Sequence, residues 1–149
     1  MYLESAPIGI AGTGRLAQAL GRILREQGEP VVSIAGRDAG RTRAAAEFIG
    51  GVEPASFGSL PRHAGRFLIA VSDRALEEVA RALAAGCPAG GMALHTCGAA
   101  GEEALECLRE RGVACGTLHP LQTVAAPETG AAALEGAAFA ISGDPAAAA

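Results

Sequence analysis

The chain has 149 residues, the size of one ordinary domain (1–149), and half of it is apolar against 19% charged, a balance that excludes a disordered segment. A net charge of −4 offers no basic face to nucleic acid or to an anionic membrane. All 12 basic residues are arginine, which excludes a Schiff-base lysine, a P-loop lysine and a Tyr/Lys pair, the only tyrosine being Tyr2.

Residues 7–11 are nearly continuously apolar, as in a strand buried on both faces of a parallel sheet. From Arg15 the period becomes helical: Leu16, Leu20, Ile23 and Leu24 share one face, Gln18, Arg22, Arg25 and Glu26 the other, and Gly28 and Pro30 supply the stop. A second apolar run, 31–35, completes a β-loop-α-β unit. Next come a short helix over 41–49 closed by Gly50, a weak strand at Val52 and an irregular connection over 54–65 rich in Pro, Gly and Ser. Residues 67–71 form another buried strand. Ser72 and Asp73 can cap the helix behind it, whose core stripe is Leu76, Val79, Ala80 and Leu83 and which ends at Gly86. Strands are expected over 91–95, 113–118 and 139–142. A helix is expected over 102–111, with acids in its first turn and arginines in its last. Gly143-Asp144-Pro145 reads as a helix start, with Asp144 as N-cap. Strands alternating with helices in this way imply a doubly wound α/β domain, its mainly parallel sheet covered by helices on both faces.

The turn between the first strand and the first helix contains G-x-G-x-x-A, from Gly12, Thr13 and Gly14 through Arg15 and Leu16 to Ala17. Gly12 allows the tight turn, Gly14 lets backbone N–H groups approach a pyrophosphate, and Ala17 permits close helix-to-sheet packing. The helix N-terminus adds unpaired donors and partial positive charge. The βαβ context turns a weak hexapeptide into a dinucleotide-binding expectation. An NAD site places Asp or Glu at the end of the second strand, where this chain has Ala35 and Gly36 followed by Arg37, with Arg41 shortly after. Arginine forks onto phosphate, so NADP(H) is expected as cofactor, held at its 2′-phosphate by Arg37 and Arg41. Asp38 is the complication, since a shift of one residue would bring an acid to the ribose.

In such sheets ligands lie beyond the carboxyl ends of the strands. Val71, Ser72 and Thr96 fall there, beside the nicotinamide half, although Ser72 and Thr96 could equally cap the following segments. His95 and His119 follow the fifth and sixth strands and are the catalytic candidates, as proton donors or as groups polarising a carbonyl or imine; the alternative is that they shape the loops. Cys87, Cys97, Cys107 and Cys115 have no metal-ligand spacing, so no metal is expected and reduced thiols are; Cys97 reads as structural rather than nucleophilic. His63 reads as a surface residue. The first residues carry no basic stretch followed by an apolar one, and no run reaches membrane-spanning length, which makes the cytoplasm the default compartment.

The segments 8–17, Gly36-Arg37-Asp38, Ala70-Val71-Ser72-Asp73, His95-Thr96-Cys97-Gly98 and His119-Pro120-Leu121-Gln122-Thr123 together resemble the Rossmann-like N-terminal domain of proteins carrying the helical C-terminal domain of unknown function 2520. More distantly they resemble deazaflavin-dependent NADP reductases and pyrroline-5-carboxylate reductase. The resemblance covers nearly the whole chain and implies an NADP-dependent oxidoreductase acting on a small-molecule substrate such as an imine or carbonyl compound. Cys97 stands where that family usually has Ser. The resemblance also implies a helical partner domain that closes the site and builds a homodimer. No such domain follows here, so the isolated domain could bind cofactor without turnover. Two other readings stand beside it: a non-catalytic NAD(P)-binding sensor acting through a partner chain, and a methyltransferase using S-adenosylmethionine, which lacks the acid expected before its glycine motif.

Overall fold

A computed structural model describes residues 5–149. Tyr2 and the leader-free reading of the first residues lie outside the described residues, except for Ser5. Strands β1 (Ile8–Ala11), β2 (Val31–Ala35), β3 (Glu53–Ala55), β4 (Arg66–Ile69), β5 (Met92–His95), β6 (Ala114–Pro120) and β7 (Phe139–Gly143) alternate with helices α1 (Arg15–Glu26), α2 (Ala39–Ile49), α3 (Asp73–Gly86), α4 (Glu106–Arg109), α5 (Gly130–Leu134) and α6 (Pro145–Ala148). The seven strands form one sheet in the order β3-β2-β1-β4-β5-β6-β7. All neighbours are parallel except β7, which runs antiparallel to β6.

Strand alternation divides the apolar residues between two cores. Ile8, Ile10 and Ile34 pack with Leu20, Ala45 and Ile49 of α1 and α2 on one face. Phe67, Ile69 and Ala93 pack with Leu76, Val79 and Leu83 of α3 on the other. This double burial is why β1 is apolar throughout, β2 apolar apart from Ser33 and β4 apolar after Arg66. Beyond α1 the first face is thinly covered. There Leu94, Leu118, Phe139 and Ile141 line an apolar groove of about 510 Å³. No helix among the described residues is long and apolar enough to cross a membrane.

Four elements depart from expectation. Helix α2 starts at Ala39 rather than Arg41, because the Asp38 carboxylate accepts the Arg41 N–H at 2.7 Å and caps the helix. The weak third strand is Glu53–Ala55, one step past Val52. It occupies the sheet edge, where Pro54 is tolerated, and a 3-10 turn at Leu60–Arg62 interrupts the connection behind it. The helix expected over 102–111 is a 3-10 turn, Glu102–Leu105, followed by the single turn of α4. Leu105 and Leu108, three residues apart, both reach the core through this tighter winding. Strand β6 runs on to Pro120, because β7 pairs with it as far as His119↔Ala140 and Pro120↔Phe139.

Asp144 sits at the start of α6, but its side chain caps nothing. Its carboxylate instead accepts the Cys115 N–H at 2.8 Å and the Arg109 Nε–H at 3.2 Å, joining β6 to α4. The Cys115 amide first, then Arg109, hold this carboxyl below its ordinary value of 3.8. A depressed folded-state value means stabilisation that is complete above about pH 4 and lost as the pH falls through the folded value. Urea unfolding of Asp144→Asn is therefore expected to show a stability deficit at pH 7 that shrinks as the pH is lowered toward 3. A deficit constant with pH would reject the ion pair as its source.

Candidate functional site

The chain reaches β4 from β3, at the far edge of the first half-sheet, and inserts it beside β1. The winding direction therefore reverses between β1 and β4. A cleft of about 700 Å³ opens there, at the carboxyl ends of the strands. The loop after β1 forms its floor, the loop after β2 one wall, and the segments after β4 and β5 the other.

In the floor, Gly12 has φ +118°, and a Cβ on it would run into the Ala70 carbonyl oxygen. Its N–H donates to Ala35 O at 2.8 Å, fixing the turn between β2 and β4. Gly14 is different. Its backbone is ordinary (φ −73°, ψ −179°), and a Cβ there would meet no protein atom within 4 Å. A side chain at Gly14 would cost the fold little room and would project into open space. Helix α1 starts at this residue with no side-chain cap and no acid in its first turn, leaving the donors of its first residues without a side-chain acceptor. Thr13, Arg15, Leu16 and Ala17 line the same cleft, Ala17 being fully buried.

On the wall after β2, Arg37 and Arg41 both line the cleft. Arg37 Nη2 donates to Glu78 Oε2 of α3 at 2.7 Å, with both side chains largely exposed. Asp38 caps α2 through Oδ1 and also lines the cleft between Arg37 and Arg41, so an acid stands on this wall with the two arginines. Gly36 leaves no room for a carboxylate, because a Cβ there would meet Thr13 Cγ2 at 2.6 Å and Thr42 Oγ1 at 2.7 Å.

Val71, Ser72 and Thr96 line the opposite wall. Ser72 occupies the N-cap position of α3 without a side-chain capping bond. His95 does not reach the cleft. It is fully buried; its Nδ1 accepts the Cys97 N–H at 3.1 Å, which leaves the Nε2–H to donate to Gly101 O at 2.7 Å. Both ring nitrogens are thus engaged with the main chain of residues 97 and 101, and the ring braces this turn rather than lining the cleft. The cause is alternation: His95 shares a strand face with Ala93, which packs in the core beneath α3.

His119 lies within β6 rather than beyond it, half-buried and outside the lining of the main cleft. Its Nδ1 donates to Thr96 O at 3.0 Å, an assignment forced by the carbonyl acceptor. The ring lies against Gly98, where a Cβ would come within 2.7 Å of it. This reaches the cleft wall, since Thr96 and Gly98 both line the cleft. Cys97 Sγ donates to Val71 O at 3.2 Å, and burial first, then Asp73, push its thiol up to about 11. That leaves it protonated and a poor nucleophile at neutral pH. His63 is exposed. Among the described residues no group of three His, Cys, Asp or Glu side chains is placed to hold a metal.

Several contributors escape sequence reasoning. Gln18, assigned to the outward face of α1, donates from Nε2 to Thr13 O at 2.8 Å and so orients the glycine turn. Phe57, from the irregular connection, lines the cleft, as do Gln122 and Val124. Arg15 Nη1 donates to Ala125 O at 3.0 Å, tying the segment after β6 to the glycine turn. The signals available in the sequence were the polar character of Gln18, one turn past Gly14, and the place of Gln122 in the segment 119–123.

Strand order, switch point and glycine turn define a Rossmann-like α/β domain. The Rossmann-like domain family profile matches residues 4–120, and the chain belongs to that family. No curated protein matches it significantly. Among solved structures it is similar to a Bacteroides fragilis protein assigned as an NADP oxidoreductase, with 23% identity and TM-score 0.69 over 82% of this chain and 46% of that one. It is also similar to prephenate dehydrogenase from A. aeolicus, solved with NAD+ and hydroxyphenyl propionate (13%, TM-score 0.75, 95% of this chain and 51% of that one). A reductive aminase from Aspergillus terreus, solved with NADPH and ethyl-5-oxohexanoate, has 20% identity and TM-score 0.64 over 84% of this chain and 43% of that one. The chain thus spans about half the length of these structures, and at such identities the likeness is one of fold.

Proposed function

We propose that this chain is the NADP(H)-binding domain of an oxidoreductase acting on a small imine or carbonyl compound. The observation that carries the reading is Gly14: nothing in the protein's own packing or backbone requires glycine there, whereas a pyrophosphate approaching the α1 amides does. The cleft fits a dinucleotide in its other parts too. The amides of 13–17 face the diphosphate, Arg37 and Arg41 the 2′-phosphate, and Val71, Ser72 and Thr96 the nicotinamide half. The neighbours solved with NADPH or NAD+ support the cofactor class, and the arginines after β2 favour the phosphorylated form.

Bound NADP(H) would supply or accept the hydride. The chain's own residues bind, orient and exclude water, and His119, whose Nδ1 is held by Thr96 O, is the candidate for proton transfer through Nε2 beside the Thr96 wall. His95 supports that wall without touching the reactants. The finer kinship, to reductases with a helical second domain, belongs to this proposal as well, with substrate closure and dimer formation assigned to that second part.

Titration with NADPH and NADH tests the reading. Arg37→Ala is expected to weaken NADPH by about 1–3 kcal/mol, the worth of a charged hydrogen-bond partner, and to leave NADH within twofold. Equal losses for both dinucleotides would reject Arg37 as the phosphate reader. No binding of either by the unaltered protein would reject the cofactor.

A further inference from the structure

Arg37 is not a free cation waiting for an anion. Its Nη2 is bound to Glu78 Oε2 at 2.7 Å, between residues 41 apart in sequence, one on the loop after β2 and the other on α3. The other charges near this wall are already engaged or differently placed. Asp38 caps α2 with one carboxylate oxygen and lines the cleft as well, Arg41 lines it from the first turn of α2, and Asp73 lines the opposite side. Glu78 does not line the cleft itself; it acts on the site only through the guanidinium.

We propose that Glu78 is a specificity-tempering residue, which by pairing with Arg37 narrows the preference of this site for a 2′-phosphorylated over an unphosphorylated adenosine ribose. This rests on the dinucleotide reading above. A 2′-phosphate arriving at Arg37 is a dianion and must take over the guanidinium from a carboxylate of the same sign, whereas a 2′-hydroxyl competes for nothing. The side chains of the pair are 62% and 72% exposed, so water screens the bond and exchange is easy. The pair therefore adjusts a ratio of affinities rather than blocking the site. Structurally, the bridge links α3 to the β2 loop on the side where the adenosine would lie, so its effect should be confined to that half of the cofactor.

The test is a double-mutant cycle on the whole chain, with NADPH, NADH, adenosine 2′,5′-bisphosphate and AMP as probes. Glu78→Gln keeps the shape and removes the charge. It is expected to tighten NADPH and the bisphosphate by about three- to tenfold, the worth of one unit charge against a dianion in a largely aqueous, salt-screened setting. NADH and AMP should stay within twofold, and the gain should disappear in an Arg37→Ala background and shrink at high salt. Weaker NADPH binding in Glu78→Gln would overturn the proposal and make Glu78 a residue that presents Arg37 to the phosphate. A gain shared equally by NADH, or persisting without Arg37, would also overturn it. If the unaltered protein binds none of the four probes, the cofactor reading itself falls and this proposal with it; if it binds them but Glu78→Gln changes nothing, only the role of Glu78 falls.

Discussion

Gly12→Ala is expected to lower the stability of the domain by about 2–5 kcal/mol, the sum of a strained backbone and an overpacked contact. The residue sits at φ +118°, a region that favours glycine, and the added methyl would strike the Ala70 carbonyl oxygen just past β4. Neither neighbour can yield easily. The Gly12 N–H is bound to Ala35 O, and the Ala70 N–H donates to Ala11 O at 2.8 Å, so both sides of the contact are main chain held in the sheet. Chemical denaturation followed by circular dichroism reads the loss. A shift below about 1 kcal/mol would mean that the turn relaxes without strain, contrary to its backbone geometry.

Gly14→Ala, two residues on, should behave in the opposite way. The backbone there is open to any L-residue and the methyl meets no protein atom within 4 Å, so stability should change by less than about 1 kcal/mol, the difference between glycine and alanine at an N-cap. Binding of NADPH and of NADH should both fall by about 10- to 100-fold, because the methyl occupies the space through which a diphosphate would approach the α1 amides. Calorimetric titration separates the outcomes. Unchanged affinity for both dinucleotides in a folded Gly14→Ala protein would remove the observation on which the proposed function stands. The two glycines thus divide the labour of the motif: one shapes the chain, the other leaves room for a ligand. The differing responses of stability and affinity also distinguish Gly14→Ala from Arg37→Ala, which should spare NADH.

Much of the fold was legible because its signals are local. The largely apolar run of 31–35 matches β2 residue for residue, and the stripe Leu76, Val79, Ala80 and Leu83 lies on the buried face of α3. The glycine turn was legible for the same reason, its spacing being a property of six consecutive residues. The continuous helix expected over 102–111 failed where local preference met a core position. Charged ends suggested a regular helix, but Leu105 and Leu108 had to reach the core within a short span between β5 and β6. The position of His95 is more instructive. Its place at the end of a strand suggested the ligand edge, yet the alternation of β5 had already put it on the face of Ala93, and that parity could have been counted from the sequence.

By itself, then, the amino-acid order determined the alternation of elements, the position of the glycine turn and the presence of Arg37 where an NAD site has an acid, since each depends on neighbours within a few residues. Tertiary structure alone decided what the charged and titratable groups do: Asp38 caps α2, Asp144 holds Arg109 and Cys115, His119 leans on Thr96, and Arg37 is paired with Glu78. Apart from the Asp38 cap, these partners lie 23 to 41 positions apart, and a polar side chain takes whichever donor or acceptor the packed sheet brings within about 3 Å. Apolar periodicity specifies a face, but it does not specify which particular atom waits across it.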